Sequence, residues 1–345
     1  MKDSEGQGEC KTKESSGPAA QLLRPILDTY RNSAFAVVGC HAVGMERPSC
    51  ELDVVVVTNE RRASSTVRIG DVFLDLVFVT ERDILRPTNP EHAVSLARAK
   101  TVRDTSLVLS TSVAANLAIL PASARLSSSG RLASALKSLS RASEALGKDS
   151  VLDADFWLLC ASYDYAYSWL LSNEVAPSPS HLLNQLKDQS SGASKGFESF
   201  SKGAGLESAS RDNCGSRLEA VGVLYDVLAG GNERGGKEGR GVGAAWSKAK
   251  LDCVGSKAKD LGEMIDHAEC YSYLGTEMLN ALRELAFRER GRSRKVLGPA
   301  GLVAGRERLL GERLLKDLGL AREKDIIIEG VELVRTQVSS LARRT

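Results

Sequence analysis

Three acidic residues stand among residues that favour burial. Glu51 and Asp53 flank Leu52 at the head of a run that continues Val54-Val55-Val56-Val57. Asp75 lies inside a second run, Val72-Phe73-Leu74-Asp75-Leu76-Val77-Phe78-Val79. An ionised carboxylate in an apolar layer is costly unless a cation or a donor compensates it. On a strand, residues two apart share a face at a separation of about 6.5 Å, so Glu51 and Asp53 point together while Leu52 enters the opposite layer. If the 72–79 strand lies alongside, Asp75 joins them. Carboxylates converging in this way repel one another unless a divalent ion sits between them. Mg²⁺ meets the need, because it takes hard oxygen ligands and keeps positions for water and phosphate oxygens. Two such ions about 3.5–4 Å apart can stabilise both the attacking and the leaving oxygen of an in-line phosphoryl displacement.

Upstream, the apolar run 35–38 ends in Gly39-Cys40. A glycine at the end of a strand lets the backbone approach a phosphate closely, and a following helix would offer its first amides to the anion. No general base is placed by spacing to make Cys40 a catalytic thiol, and His41 reads as an exposed loop histidine. The valine-rich runs look buried on both faces, which argues against the acids being a solvated strand edge.

These residues need elements to position them. The segment 1–18 is Gly, Ser, Lys and Glu with little to bury, and reads as a disordered tail. Leu22, Leu23, Ile26, Leu27 and Tyr30 recur at helical spacing. Strands are expected at 35–38, 51–57 and 72–79. A turn-rich segment spans 41–50, and a polar connector with a Gly70-Asp71 turn joins the second and third strands. A helix over 91–100, a short edge strand at 101–103 and a helix over 106–120 stopped by Pro121 follow. Ser127 to Gly130 signals a linker. Beyond it the pattern is helical: 132–146, 154–172, 181–187, 217–229, 246–259, 261–287, 306–318 and 325–342. The stretch 189–213 reads as a loop or frayed helix, and the Gly-rich stretch 230–243 as a flexible insertion. The expected organisation is a tail (1–18), an α+β domain with a mixed sheet (19–125), a linker or helix (126–150) and an α-helical domain (151–345). The aromatic stripe Tyr163, Tyr165, Tyr167, Trp169 reads as core packing rather than a base-stacking platform.

Composition narrows the partners. Lys plus Arg (46) nearly balances Asp plus Glu (44), so bulk charge announces no polyanion. The basic run Arg288, Arg290, Arg292, Arg294, Lys295 could grip RNA or a triphosphate, but reads first as a solvated hinge. The seven cysteines form no disulfide or zinc spacing pattern, so reduced thiols in a cytoplasmic setting are expected. No segment reads as a signal peptide or as a membrane span.

The order of these pieces resembles a family. A strand ending in Gly39-Cys40, the spacer 41–50, the acid–hydrophobic–acid Glu51-Leu52-Asp53 and the third acid Asp75 look like the nucleotidyltransferase fold of DNA polymerase beta and its relatives. The small prokaryotic members are the most similar in layout. The likeness covers roughly residues 20–120. The helical remainder looks weakly like the helical domains that accompany such enzymes. The resemblance implies Mg²⁺ held by Glu51, Asp53 and Asp75, and a nucleoside triphosphate (NTP) contacted through Gly39 and Cys40. It also implies transfer of a nucleoside monophosphate to a hydroxyl acceptor with release of pyrophosphate. The acceptor (small molecule, protein or RNA), the preferred base and any homo-oligomer are left open. Two positions depart from the pattern. Cys40 replaces the usual Ser or Gly, giving a weaker donor, and Glu51 replaces Asp, pushing its carboxylate out by about 1.5 Å. A binding or antitoxin module with weakened chemistry is therefore the leading rival reading, and an RNA-directed enzyme, for which the basic run 288–295 would matter, is the second.

Overall fold

A computed structural model describes residues 18–60, 62–87, 89–189, 195–230, 246–264, 266–290, 312–320 and 322–344. The tail before residue 18, nearly all of the Gly-rich stretch 230–243 and the beginning of the expected 306–318 helix lie outside them. So do the side chains of the basic run 288–295.

The chain opens with helix α1 (Pro18–Thr29) and strand β1 (Ala34–Val38), followed by the short helix α2 (Gly39–Val43). Strands β2 (Leu52–Thr58), β3 (Ser65–Ile69) and β4 (Val72–Thr80) come next. Helices α3 (Glu81–Leu85) and α4 (Pro90–Leu96) then lead to edge strand β5 (Lys100–Arg103). The five strands form one mixed sheet in the order β3-β4-β2-β1-β5. β2 and β4 run parallel, and the other pairs are antiparallel. The expected polar connector therefore contains a strand. Ser65-Thr66-Val67-Arg68-Ile69 alternates too weakly to announce itself, but Gly70, with φ +61°, turns the chain back and lets it pair with β4.

Alternation along β2 explains why both faces are covered. Leu52, Val54 and Val56 pack with Leu23 of α1 and with Leu74 and Leu76 of β4. Val55 faces the other way, with Ile84 of α3 and Leu96 of α4. Each such side chain contributes roughly 1.5–3 kcal/mol on burial, which makes a one-residue slip of register prohibitive. The register that seats these valines also places Asp53.

Pro121 follows the end of the expected 106–120 helix and at once begins another. It occupies the first turn of α6 (Leu120–Gly147), where its missing N–H is no loss. α5 (Val108–Ala118) precedes it. The expected linker Ser127 to Gly130 lies inside α6. Ser127 and Ser128 are buried, and Ser128 Oγ lies 2.8 Å from Ser168 Oγ of α7 (Val151–Ser172). The small residues that look like a linker are a close-packing surface between two helices.

Among the described residues, the remaining α-helices are α8 (Leu182–Gln189), α9 (Lys195–Gly203), α10 (Arg211–Gly230), α11 (Lys248–Met264), α12 (His267–Arg290), α13 (Glu312–Asp317) and α14 (Lys324–Ala342). α9 occupies part of the stretch expected as loop or frayed helix. It holds because Phe200 is fully buried and Gly203 sits tightly against Ser162 and Val334. Tyr163 and Tyr165 are core residues, with Tyr167 and Trp169 packed against the core. The described residues form an α+β fold, a mixed sheet with flanking helices followed by an α-helical region. Among the described residues no helix is long and apolar enough to cross a membrane.

Candidate active site

The acids meet at the amino end of β2. In the parallel ladder Asp53 lies directly opposite Asp75, so their side chains rise from neighbouring strands on one face. Glu51 stands immediately before β2, two residues from Asp53. Carboxylate oxygens of Glu51, Asp53 and Asp75 come within 4.8 Å of one another. Burial, and then the charge of Asp75, push the Asp53 carboxyl up to about 7, with Lys250 acting in the opposite sense. This is the electrostatic conflict expected of acids crowded in a poorly solvated corner.

Gly39 has φ +69°, a left-handed conformation in which side chains are strained. A Cβ at this position would overlap Asp53 Oδ2 and come within 3.2 Å of its Cγ. The glycine is thus required twice, by its own backbone and by the carboxylate packed against it. Cys40, at the start of α2, is buried. Its sulfur lies within 4.8 Å of Cys50 Sγ, and the interaction of the two thiols holds Cys40 above the ordinary thiol range and Cys50 below it. The Cys40 sulfur is thus engaged with Cys50, and the Gly39–Cys40 backbone borders the acids.

The structure adds residues that sequence reasoning missed. Thr66 Oγ1, on the unexpected strand β3, donates to Asp75 Oδ1 at 2.6 Å. Lys250 Nζ of α11 donates to Asp75 Oδ2 at 2.5 Å and lies 3.8 Å from Glu51 Oε1. Lys257, one heptad further along α11, forms an ion pair with Glu51. Burial pulls the Lys250 ammonium down, but the charges of Glu277 and Asp75 outweigh this and hold it above its ordinary value. A signal for the lysines exists in the sequence. Positions 250, 254, 257 and 261 follow the i, i+4, i+7, i+11 stripe of an inward helix face. Two of those positions are Lys, beside the fully buried Val254 and the nearly buried Leu261.

A cleft of about 450 Å³ is lined by Glu51 and Asp53 together with Lys250, Lys257, Tyr225, Tyr273 and Glu277, while Asp75 lines a smaller one of about 130 Å³ with Thr66 and Lys250. The larger volume falls in the range of small-molecule sites. Tyr225 donates its hydroxyl to Glu277 Oε2 at 2.8 Å, and its ring meets Trp246 edge-on at 4.9 Å between centroids. The cleft therefore combines three carboxylates (Glu51, Asp53 and Glu277), two lysines and the aromatic rings of Tyr225, Trp246 and Tyr273.

The carboxylates fit a divalent ion. They are hard oxygen donors and close enough to share one. No protein-family model and no curated protein matches the sequence. Among solved structures the chain is similar to a nucleotidyltransferase-like protein from Exiguobacterium sibiricum 255-15, at 12% identity, over 87% of each chain, with a TM-score of 0.34.

Proposed function

We propose that the chain is a divalent-metal-dependent nucleotidyltransferase that moves a nucleoside monophosphate from an NTP to a hydroxyl acceptor, releasing pyrophosphate. The observation that carries the reading is the pairing of Asp53 with Asp75 across the parallel ladder, with Glu51 beside them. Glu51, Asp53 and Asp75 would hold Mg²⁺, which, when bound, neutralises phosphate charge and aligns the acceptor oxygen with the α-phosphate. Asp75, oriented by Thr66, would accept the proton of the acceptor hydroxyl. The Gly39–Cys40 backbone would contact the triphosphate through its amides rather than through the Cys40 thiol. Lys250 and Lys257 carry the positive charge that a pyrophosphate leaving group needs.

Calorimetry with Mg²⁺ and each NTP tests the binding half. Asp53→Ala and Asp75→Ala should each lose most of the affinity, and wild-type affinity in both would end the proposal. Incubation with labelled NTP and a cell extract tests the transfer half, by asking whether protein, RNA or small molecules take up the label.

One observation favours a second reading. Lys250 already bridges Asp75 and Glu51, so the acids are partly compensated without an ion. A nucleotide-binding module in which those ion pairs persist would bind NTP with no pyrophosphate release, and the labelling experiment separates the two.

A further inference from the structure

Beside the carboxylates lies a second, chemically different cluster. Cys40 on α2, Cys50 in the loop before β2 and His181 on the single turn Pro179–His181 come from three separate segments. Their two sulfurs and an imidazole nitrogen lie within 4.8 Å of one another, and all three residues are buried. Cys50 Sγ is 3.3 Å from His181 Nε2. In a tetrahedral zinc site, bonds of about 2.3 Å to sulfur and 2.0–2.1 Å to nitrogen put ligand atoms roughly 3.5–3.8 Å apart. Cys50 and His181 are close to that spacing, and the Cys40 sulfur lies within 4.8 Å of both.

We propose that Cys40, Cys50 and His181 bind a zinc ion, with the fourth position left to water or another donor, and that this ion ties the acid end of the sheet to the helical half. The donor chemistry supports the assignment. Thiolate and imidazole select zinc, whereas the carboxylate oxygens a residue away select magnesium. Two neighbouring clusters would then sort two different ions.

The surroundings already hold the donors together. Arg47 donates its backbone N–H to Cys50 Sγ at 3.4 Å. Its guanidinium donates to the Ser180 carbonyl at 3.3 Å and pairs with Glu269 at 3.0 Å. Ser49 Oγ donates to Asp260 Oδ2 at 2.6 Å. The loop bearing Cys50 is thereby fastened to the turn bearing His181 and to helices α11 and α12. Buried cysteines are often inert packing residues. Packing alone gives no reason for two thiols and a ring nitrogen to converge from three segments. Because Cys40 follows Gly39 and Cys50 precedes Glu51, zinc here would also fix both edges of the acidic corner.

The test uses the full chain, purified under reducing conditions, equilibrated with Zn²⁺ and dialysed. Elemental analysis should find stoichiometric zinc that excess Mg²⁺ does not displace. Co²⁺ in its place should give thiolate-to-metal charge transfer and the intense visible bands of a tetrahedral site. Cys50→Ser and His181→Ala should each lose the zinc, while Asp75→Asn keeps it. Should the first two variants fail to fold by circular dichroism, the wild-type cobalt spectrum decides alone. Absence of retained zinc, a cobalt spectrum without thiolate charge transfer, or loss of zinc in Asp75→Asn would overturn the proposal. So would a Cys40–Cys50 disulfide without metal in the protein as purified. The proposal does not rest on nucleotidyl transfer, since Mg²⁺–NTP binding is measured separately and stands or falls alone.

Discussion

Replacing Gly39 with alanine should destabilise the protein through two separable effects. The first is the backbone. At φ +69° an L-residue pays about 1–2 kcal/mol. The second is the methyl group itself, which would overlap Asp53 Oδ2. Restoring an ordinary contact displaces the carboxylate by roughly 1 Å, and overpacking of this kind costs about 1–3 kcal/mol. The total is on the order of 2–5 kcal/mol, readable by urea unfolding near neutral pH without divalent ions. A double-mutant cycle with Asp53→Ala separates the effects, because truncating the carboxylate removes the overlap and leaves the backbone strain. Gly39→Ala should then cost only ~1–2 kcal/mol in the Asp53→Ala background, a coupling of about 1–3 kcal/mol. Strict additivity would show that the two residues do not press on one another, and a cost below about 0.5 kcal/mol would refute the strain as well. Gly39→Ala should also weaken Mg²⁺ binding, since metal–ligand distances tolerate only about 0.2 Å.

Further outcomes follow from the charges. The folded-state value of Asp53, raised from 3.8 to about 7, means that the folded chain holds this proton more tightly than the unfolded chain. Its contribution to cation-free stability is therefore largest at low pH and is lost as pH rises from about 4 to about 7. Asp53→Asn should relieve a penalty of up to roughly 4 kcal/mol above that window and little at pH 4. Chemical denaturation at both ends checks it, and an equal gain at both would sink it. Because the ion must displace the same proton, Mg²⁺ affinity should fall about tenfold per pH unit below 7. A flat calorimetric profile between pH 5 and 7 would contradict this. Lys250→Ala leaves Asp75 without its cation and should cost about 2–4 kcal/mol of stability. It should also weaken Mg²⁺–NTP binding at least ~10-fold while leaving Mg²⁺ alone bound no more weakly. Thermal melting and calorimetry decide, and unchanged nucleotide affinity would remove Lys250 from the site.

The acidic corner was legible because strand periodicity is strict. Glu51 and Asp53, two apart, had to share a face, and the valines around them had to be buried. What misled was the meaning of small and polar residues. Ser127 to Gly130 looks the same in sequence whether it is a linker or the tight contact of α6 with α7. Ser65 to Ile69 is polar enough to pass for a connector, yet β3 forms because β4 presents a free edge and Gly70 turns the chain towards it. Pro121 could end one helix or begin the next, and local sequence does not separate those cases.

The sequence by itself therefore determined which side chains carry charge in a buried layer and which face of β2 they occupy, since both depend only on residues a few positions apart. Only the tertiary structure decided that Asp75 stands opposite Asp53 rather than one rung away. It alone brings Lys250 and Lys257 onto those acids from some two hundred residues downstream, and His181 to Cys50 across the cleft wall. Such contacts are set by the packing of α11 and α12 against the end of the sheet, and no local pattern records which distant helix will supply the partner.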